Sequence, residues 1–282
     1  MPTHNNIQLE KGNLLNQLLH NGKLLVLPNI WDPLGAIMLE SLGYPIVATA
    51  SASIAFSNGY SDGEKIPFND LLTILQKIVN SVKIPVTADI ESGYAENNSV
   101  LKENIKKLID VGIAGINFED SRHDNNKIIP IDGQCEKISI IKKAATEKGT
   151  ILFINARTDV YLKANHLSDE EKLIETIKRG NAYKDAGADG FYPIFLKKKE
   201  GIESVIKEVA LPVNILLLPG IPDFETLKKM SVARVSLGPG FLKTAINTMK
   251  NIAEKLLHYE GMNEVAGNPV TTAYLNNLIS KK

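Results

Sequence analysis

The stretch Lys106-Lys-Leu-Ile-Asp-Val-Gly-Ile-Ala-Gly-Ile-Asn-Phe-Glu-Asp120 carries the pattern that decides the fold. An amphipathic run ends at Gly112, and the short apolar run that follows ends in two carboxylates. A glycine directly after an amphipathic run is typical of a helix C-terminus. A short apolar run is typical of a strand that is buried on both faces. The stretch therefore predicts one helix-to-strand step of a parallel α/β fold.

The same step recurs along the chain and predicts eight strands. Eight such units in 282 residues, with no second composition regime, predict a single (β/α)8 TIM barrel domain, for which about 250 residues are typical. A six-stranded doubly wound sheet is the alternative, but it needs two wrong strands and the chain lacks a G-x-G-x-x-G fingerprint. The predicted strands are Leu24–Leu27, Ile46–Thr49, Val86–Asp89, Gly115–Phe118, Ile151–Asn155, Gly190–Pro193, Val213–Leu218 and Arg234–Leu237.

A helical extension follows the eighth predicted strand, over residues 241–282. It holds a helix over Phe241–Tyr259 and a short helix near Val270–Ile279. This is more chain than a barrel needs to close, so we expect part of it to pack on a neighbouring subunit.

Composition narrows the class of partner. Lys+Arg and Asp+Glu both number 32, so the chain has no basic field for nucleic acid or an anionic membrane surface. It has one cysteine, Cys135, no apolar leader after Met1 and no run near the roughly 20 apolar residues of a membrane span. We expect a cytoplasmic protein that acts on a small molecule, with Cys135 an ordinary buried or half-buried residue.

Carboxylates cluster at the predicted strand ends. Asp89 and Glu91 lie two residues apart after the third strand, Glu119 ends the fourth, and Asp62 lies in the loop after the second. The carboxyl ends of parallel strands meet on one rim. Four carboxylates there repel one another unless a cation neutralises them, and oxygen ligands without His or Cys favour Mg²⁺ or Mn²⁺ over Zn²⁺. The alternative is that these acids cap helices or pair with an arginine.

Other residues on the same rim suggest how a substrate is held. Arg157 ends the fifth strand, where it can bind a carboxylate and neutralise an enolate, or pair with Glu119 or Asp159. Ser51 and Ala52 offer backbone N–H groups after the second strand. Trp31 follows the first strand and either walls the pocket or packs in the core.

The remaining candidate residues give weaker evidence for a particular chemistry. The five histidines have no metal-ligand spacing, and His123 is predicted to be a solvent-exposed loop residue. No lysine ends a predicted strand, which counts against Schiff-base chemistry. Gly238-Pro-Gly240 is similar to a phosphate-binding turn, but Lys243 is the single basic residue near it.

Read in chain order, the strand-end strings resemble the isocitrate lyase / phosphoenolpyruvate mutase superfamily. The resemblance covers about residues 25 to 245. Its strings are specific only when they are taken together. They are Asn29-Ile-Trp-Asp32, Ala48-Thr-Ala-Ser-Ala52, Gly59-Tyr-Ser-Asp-Gly63, Pro85-Val-Thr-Ala-Asp-Ile-Glu-Ser-Gly-Tyr94, Gly115-Ile-Asn-Phe-Glu-Asp120, Asn155-Ala-Arg-Thr-Asp159 and Val235-Ser-Leu-Gly-Pro-Gly240.

The resemblance implies a TIM barrel with Mg²⁺ at its rim and a C-terminal helix swapped onto a partner, in a dimer or tetramer. It also implies roles for the residues that match. Asp89 and Glu91 would form the metal site, Asp62 and Glu119 would hold the metal's waters, and Arg157 would bind the substrate. Ser51 and Ala52 would receive an anionic group of the substrate, and Trp31 would lie at the edge of the site.

One departure from the superfamily pattern argues strongly against two activities. Isocitrate and methylisocitrate lyases carry a catalytic cysteine in the loop after the fourth strand, and here that loop, Ser121-Arg-His-Asp-Asn-Asn-Lys-Ile128, has none. The mutases place an asparagine near this point, for which Asn125 or Asn126 is a candidate. They also carry a histidine after the arginine strand, and only His166 lies in that region.

These features favour a Mg²⁺-dependent lyase or hydrolase that cleaves a C–C bond next to a 2-oxo acid of the oxaloacetate type. The alternatives are a P–C bond enzyme, either a phosphoenolpyruvate mutase or a phosphonopyruvate hydrolase, and a non-catalytic barrel that binds a metabolite.

Overall fold

Strands and helices alternate along the part of the chain that the computed structural model describes, residues 4–123 and 127–280. The strands are β1 (Leu25–Leu27), β2 (Asn29–Ile30), β3 (Val47–Thr49), β4 (Val86–Asp89), β5 (Gly115–Glu119), β6 (Phe153–Thr158), β7 (Gly190–Pro193), β8 (Asn214–Leu216) and β9 (Arg234–Ser236). The helices are α1 (His4–His20), α2 (Pro33–Ser41), α3 (Ser51–Ser57), α4 (Phe68–Val79), α5 (Asn98–Asp110), α6 (Ile131–Glu147), α7 (Val160–Lys163), α8 (Asp169–Asp185), α9 (Lys199–Val209), α10 (Phe224–Lys229), α11 (Gly240–Leu257), α12 (Met262–Ala266) and α13 (Thr272–Ser280).

The strands pair in parallel, in the order of a TIM barrel. One sheet runs β2-β3-β4-β5-β6-β7 and the other runs β1-β9-β8. A parallel bridge between Phe191 and Val213 joins β7 to β8, and only Pro28 separates β1 from β2. Proline has no N–H to donate, so it interrupts the ladder at that point. The predicted α/β barrel class is confirmed, and the first predicted strand is two short strands.

Strand bounds differ most around the predicted arginine strand. Ile151–Asn155 was expected, whereas β6 spans Phe153–Thr158, so Arg157 lies inside the strand and not after it. The extra residues pair with both neighbours, through Glu119↔Arg157 and Arg157↔Tyr192. This double pairing holds the Arg157 backbone extended beside Glu119.

The interior of the barrel is polar, while the outer faces of the strands are apolar. Along β5, Ile116 and Phe118 belong to the core packed under the helices. The residue between them, Asn117, is buried on the other face, where its Oδ1 accepts a hydrogen bond of 2.8 Å from Asn155 Nδ2. The alternation of side chains along a strand therefore separates a helix-side core from a polar barrel interior.

Helix α1 packs against the beginnings of the strands and has no counterpart in the sequence-based prediction. Its Leu15 and Leu19 form a buried cluster with strand residues such as Phe153. Gly115 permits this contact, because a Cβ atom there would lie 2.5 Å from Leu15 Cδ2. The end of the barrel opposite the carboxylates is thereby covered by apolar side chains.

The C-terminal extension is helical, as predicted, but it is divided into α11, α12 and α13. Helix α13 packs on α2 of the same chain, with Leu278 buried. Helix α11 buries only Leu242 and leaves Ile246, Met249 and Leu257 exposed. The swap of a helix onto a partner stays a prediction. Among the described helices, none is both long and apolar enough to cross a membrane.

Candidate active site

Asp89, Glu119 and Arg157 lie side by side at the carboxyl ends of β4, β5 and β6. The register pairs Asp89 with Asn117 and Glu119 with Arg157, so the three side chains come from neighbouring strands. All three point into the barrel, opposite to the helix-side residues Ile116 and Phe118. The structure thus brings together the acids and the arginine that the strand-end strings predicted.

Arg157 is held between two buried carboxylates. Its Nε and Nη2 donate to Asp159 Oδ1 and Oδ2 at 2.7 and 3.1 Å, and its Nη1 lies 2.5 Å from Glu119 Oε2. Ser121 Oγ also donates to Asp159. Burial opposes the charge of the guanidinium, but Glu119 and Asp159 raise the pKa of Arg157 well above its usual value. Both pairings considered for Arg157 from the sequence are therefore present.

Asp89 lacks such a partner, since it forms no ion pair with any residue that the structure describes. Its carboxylate Oδ1 accepts the Glu91 backbone N–H at 3.2 Å, and its own backbone N–H donates to Thr49 Oγ1. Burial raises the pKa of Asp89 to about 6 although the nearby Arg157 opposes the rise. A half-buried carboxylate with a raised pKa and no cationic partner in contact is suited to receive a cation.

A reciprocal set of hydrogen bonds ties Glu91 to the loop between α3 and α4. The Glu64 backbone N–H donates to Glu91 Oε2, and Tyr94 Oη donates to Glu91 Oε1. In return Glu64 Oε1 accepts hydrogen bonds from Ser92 N, Ser92 Oγ and Tyr94 N at 2.8 to 3.1 Å. We call these residues, Glu64, Glu91, Ser92 and Tyr94, the Glu64 latch.

The Glu64 latch is strained as well as hydrogen-bonded. Glu64, Glu91 and Tyr94 have φ angles of 57°, 52° and 54°, a left-handed conformation that costs a residue with a Cβ roughly 1–3 kcal/mol. Three such residues in mutual contact mark a bend that the surrounding bonds enforce. Burial and the nearby Glu119 also raise the pKa of Glu91 well above its usual range.

The prediction for His123 is wrong. Its side chain is only 20 % exposed, and its Nε2 lies 3.1 Å from Glu119 Oε1 and 3.4 Å from Glu91 Oε2. The loop folds back through a bridge between Ser121 and Ile128, which turns His123 toward the carboxylates. Burial opposes protonation, yet the two glutamates outweigh it and raise the pKa of His123. Asn125 and Asn126 lie outside the described residues.

Of the other predicted site residues, only Asp62 is linked to these carboxylates by its charge. Asp62 is exposed on the loop between α3 and α4, close enough that its charge raises the pKa of Asp89 and Glu91. Ser51 and Ala52 form the first turn of α3, where backbone N–H groups lack partners within the helix. Trp31 is half-buried in a groove between α2 and the C-terminal helices, beside Tyr274.

Two further predictions can be compared with the structure. The Gly238-Pro-Gly240 turn is hydrogen-bonded to another part of the chain. The N–H groups of Leu237 and Gly238 donate to Asn29 Oδ1 at 2.8 and 3.0 Å. Cys135 is half-buried, as expected, and its Sγ lies 3.4 Å from the Ala182 carbonyl oxygen.

Four residues that contact Glu91 or interact with the charge of Asp89 were not singled out from the sequence: Glu64, Tyr94, Tyr192 and Arg234. Tyr192 and Arg234 are buried in β7 and β9, and both are close enough to Asp89 to interact with its charge. A signal existed for Arg234, because Ala233-Arg-Val-Ser236 alternates apolar with polar residues inside a predicted strand. The pattern shows that one face of that strand is polar, as expected of a barrel interior.

The donor set fits Mg²⁺ held by few direct protein ligands. Among the described residues no three His, Cys, Asp or Glu side chains gather closely enough to enclose an ion. Glu91 and Glu119 are also engaged by the latch, His123 and Arg157. Mg²⁺ usually keeps several waters and binds through one or two carboxylates. Asp89 with the acids around it satisfies that requirement.

Comparison with known proteins identifies the family of this chain. A family model described as phosphoenolpyruvate phosphomutase matches residues 15–257, which is most of the chain. The chain belongs to the phosphoenolpyruvate phosphomutase family.

Relatives in this family differ in activity. An uncharacterized protein of Mycobacterium tuberculosis is 30% identical over 223 residues, 79% of this chain and 81% of that protein. An oxaloacetate decarboxylase of Pseudomonas putida is 25% identical over 77% of this chain and 74% of its own. The crystal structure of a putative phosphonomutase from Burkholderia cenocepacia is 34% identical, with a TM-score of 0.83 over 88% of this chain and 98% of its own. Named relatives of this phosphoenolpyruvate phosphomutase family member are lyases, mutases and hydrolases.

Proposed function

We propose that this chain is a Mg²⁺-dependent lyase or hydrolase that cleaves a C–C bond next to a 2-oxo acid, with a small dicarboxylate of the oxaloacetate type as substrate. The observation that carries the proposal is the presence of two unlike groups on β4 and β6, the two strands that flank β5. Asp89 is a carboxylate without an ion-pair partner among the described residues, and Arg157 is a guanidinium fixed by Glu119 and Asp159. One group binds a cation and the other binds an anion.

Mg²⁺, or Mn²⁺ in its place, would be held by Asp89 and Glu91, with Asp62 and Glu119 holding its waters. When bound, the metal supplies positive charge for the oxo and carboxylate oxygens of the substrate and for the electrons released by bond cleavage. The latch supports this arrangement, since it fixes the Glu91 carboxylate by hydrogen bonds from Glu64 N and Tyr94 Oη.

Arg157 would bind the substrate and stabilise the negative charge that develops on it. Asp159 uses its Nε–H and one Nη2–H, and Glu119 pairs with Nη1, which leaves the second Nη2–H and the second Nη1–H for a substrate carboxylate. Because Glu119 and Asp159 fix the guanidinium, little reorganisation is needed when charge appears. Ser51 and Ala52 would offer backbone N–H groups to an anionic group of the substrate, with Trp31 at the edge of the site.

A base is required if the enzyme hydrolyses its substrate. Asp62 is exposed on the rim and close to Asp89 and Glu91, so it can accept a proton from a water there. Glu119 is the second candidate, since its carboxylate lies between Arg157 and His123. The related oxaloacetate decarboxylases and oxaloacetate acetylhydrolase support an oxaloacetate-type substrate. The absence of a cysteine at 121–128 argues against methylisocitrate lyase activity.

The test is a substrate panel followed by proton NMR with Mg²⁺ and with a chelator. Oxaloacetate, substituted malates, methylisocitrate and phosphonopyruvate are each incubated with the wild-type chain and with Asp89→Asn. We expect Mg²⁺-dependent products from a dicarboxylate, either pyruvate or acetate with oxalate, and none from Asp89→Asn above the metal blank. Cleavage that continues in the chelator at the wild-type rate contradicts the proposal.

A P–C bond enzyme is the second candidate, favoured by the phosphomutase family model and by the 34% identity to the Burkholderia structure. Release of phosphate from phosphonopyruvate, or its conversion to phosphoenolpyruvate, would identify that activity. A barrel that only binds a metabolite is distinguished by calorimetry, because its binding would not depend on metal. We also propose a cytoplasmic location, since a single cysteine, Cys135, fits a reducing compartment.

A further inference from the structure

Arg234 differs from the other two arginines that lie in the interior of the described structure. Arg157 contacts Glu119 and Asp159, and Arg179 contacts Asp120 and Glu175. Arg234, on β9, is only 2 % exposed and forms no ion pair with any described residue. A buried guanidinium without a counter-charge in contact is costly, so its retention calls for a partner.

Arg234 and Asn214 together present donors without acceptors. Arg234 Nε donates to Ser236 Oγ at 2.9 Å, and Ser236 Oγ donates to Asn214 Oδ1 at 3.1 Å. This chain of bonds fixes both side chains. Arg234 Nη2 and Asn214 Nδ2 are buried and have no hydrogen-bond partner among residues 4–123 and 127–280. Two fixed donors next to each other require an acceptor.

Both side chains point into the barrel, toward the candidate active site. Asn214 and Arg234 are paired in the β8–β9 register, and their neighbours Ile215 and Val235 belong to the helix-side core. The groups that face the Arg234 charge are Asp89 and the Tyr192 hydroxyl. Burial lowers the pKa of Arg234 to about 10, which still leaves the guanidinium charged at neutral pH. The two donors therefore lie on the β8–β9 side of the site, and Arg157 lies on the β6 side.

We infer that Arg234 and Asn214 recognise a second carboxylate of the substrate, at the end remote from its 2-oxo acid head. A guanidinium and an amide N–H offer donors only, so the group they take is an oxyanion, and the planar fork of arginine matches a carboxylate. This inference rests on the proposed function and adds that Arg234 selects an oxo-dicarboxylate over an oxo-monocarboxylate.

Calorimetry with two unreactive ligands separates the two ends of the substrate. Oxalate reproduces the 2-oxo acid head, and 3,3-difluorooxaloacetate adds a second carboxylate. With Mg²⁺ present, Arg234→Met should lower the affinity for difluorooxaloacetate about tenfold or more, because a charged hydrogen bond is lost. Oxalate affinity should stay within about twofold.

Each other outcome overturns a defined claim. Equal weakening of both ligands, or no weakening of either, overturns the role of Arg234. If oxalate fails to bind the wild-type chain with Mg²⁺, the proposed function itself fails. If Arg234→Met weakens the binding of phosphonopyruvate and leaves the binding of difluorooxaloacetate unchanged, the donors bind a phosphonate. That result overturns the carboxylate assignment.

Two further variants keep the inference falsifiable if Arg234→Met folds poorly. Asn214→Asp places a carboxylate beside Arg234. The variant should therefore have a higher Tm and should bind difluorooxaloacetate more weakly. A rise in Tm without that loss contradicts the inference. For comparison, Arg179→Met breaks an ion pair with Asp120 and should lower Tm, whereas Arg234→Met should leave Tm unchanged or raise it. A lower Tm for both arginine variants would make Arg234 a structural residue.

Discussion

At the scale of single residues, the central feature of the site is that Arg157 pairs with two carboxylates at once. Glu119 and Asp159 are almost fully buried, and Arg157 is the shared cation of both. The contacts that would orient the guanidinium for the proposed substrate also place its charge against two carboxylates. Function and stability are therefore coupled at this residue.

Arg157→Ala should lose activity and stability together. Removing one partner of a buried ion pair costs about 3–5 kcal/mol, because the other charge is left without compensation. We expect the free energy of unfolding in urea to fall by about that amount. The control is Lys148→Ala, which breaks a solvent-accessible ion pair with Asp110. It should change the free energy of unfolding by less than about 1 kcal/mol. An Arg157→Ala protein as stable as the wild type would contradict the described pairing.

Mg²⁺ binding should weaken in acid because of Asp89. The pKa of Asp89 is raised to about 6, so its carboxylate is largely ionised at pH 7 and largely protonated at pH 5. A proton and Mg²⁺ compete for the same oxygens. Calorimetry should show Mg²⁺ affinity falling about tenfold from pH 7 to pH 5. Affinity that is constant over this range would exclude Asp89 as the titrating ligand.

At the scale of elements, a buried network joins β5, β6 and α8 beneath the site. Asp120 Oδ2 accepts hydrogen bonds from Thr158 Oγ1, Tyr183 Oη and Arg179 Nη1, and Asp120 Oδ1 accepts the Asp159 backbone N–H. The network fixes the end of β6 on which Arg157 and Asp159 lie. The Arg157 geometry is thus supported from an adjacent helix.

Tyr183→Phe tests this network with little change in volume. It removes a hydrogen bond of 2.7 Å to Asp120, and bonds to charged groups are worth about 1.5–3 kcal/mol. We expect a loss of that size in urea unfolding. Tyr44→Phe is the matched control, since the Tyr44 hydroxyl makes no hydrogen bond with the described residues. Equal effects of the two variants would show that the Asp120 bond contributes nothing.

The Glu64 latch predicts a local change without global unfolding. Glu64→Ala removes the acceptor of the Ser92 and Tyr94 N–H groups. Hydrogen exchange at these two amides should accelerate about tenfold or more, while exchange in β5 stays unchanged. Glu96→Ala, an exposed glutamate close in sequence, should alter neither amide. Unchanged exchange at Ser92 and Tyr94 would refute the latch.

The strand ends could be predicted from sequence where local pattern decides them. Val86–Asp89 and Gly190–Pro193 were predicted with the observed bounds, because each is an apolar run ended by a polar or helix-incompatible residue. His123 could not be placed, because its position depends on the Ser121–Ile128 bridge and on a contact with Glu91, which is distant in sequence. Arg234 lies inside a predicted strand. Whether its side chain points into the barrel or toward the helices is known only once the strands are arranged as a barrel.

At the scale of the whole molecule, α11 leaves an apolar surface exposed. Ile246, Met249, Leu256 and Leu257 are each at least 47% exposed on this helix. Apolar residues on one helix that are left uncovered by the described part of the chain are typical of a subunit contact. This agrees with the helix swap that the superfamily resemblance implies, and it favours a dimer or tetramer.

Light scattering on the purified chain tests that assembly. We expect a mass of two or four times 30.9 kDa, and a shift toward the monomer for Ile246→Asp combined with Met249→Asp. Tyr259→Asp, at an almost fully exposed position just beyond α11, should have a smaller effect. A wild-type monomer at all concentrations would refute the assembly without affecting the catalytic proposal.

The central claim is that Asp89 and Arg157 form one site for Mg²⁺ and a 2-oxo acid. Its most direct test is calorimetric titration of oxalate into the wild-type chain and Asp89→Asn, with and without Mg²⁺. We predict binding only when Mg²⁺ and Asp89 are both present. Oxalate binding of equal strength without Mg²⁺, or in Asp89→Asn, would contradict the account.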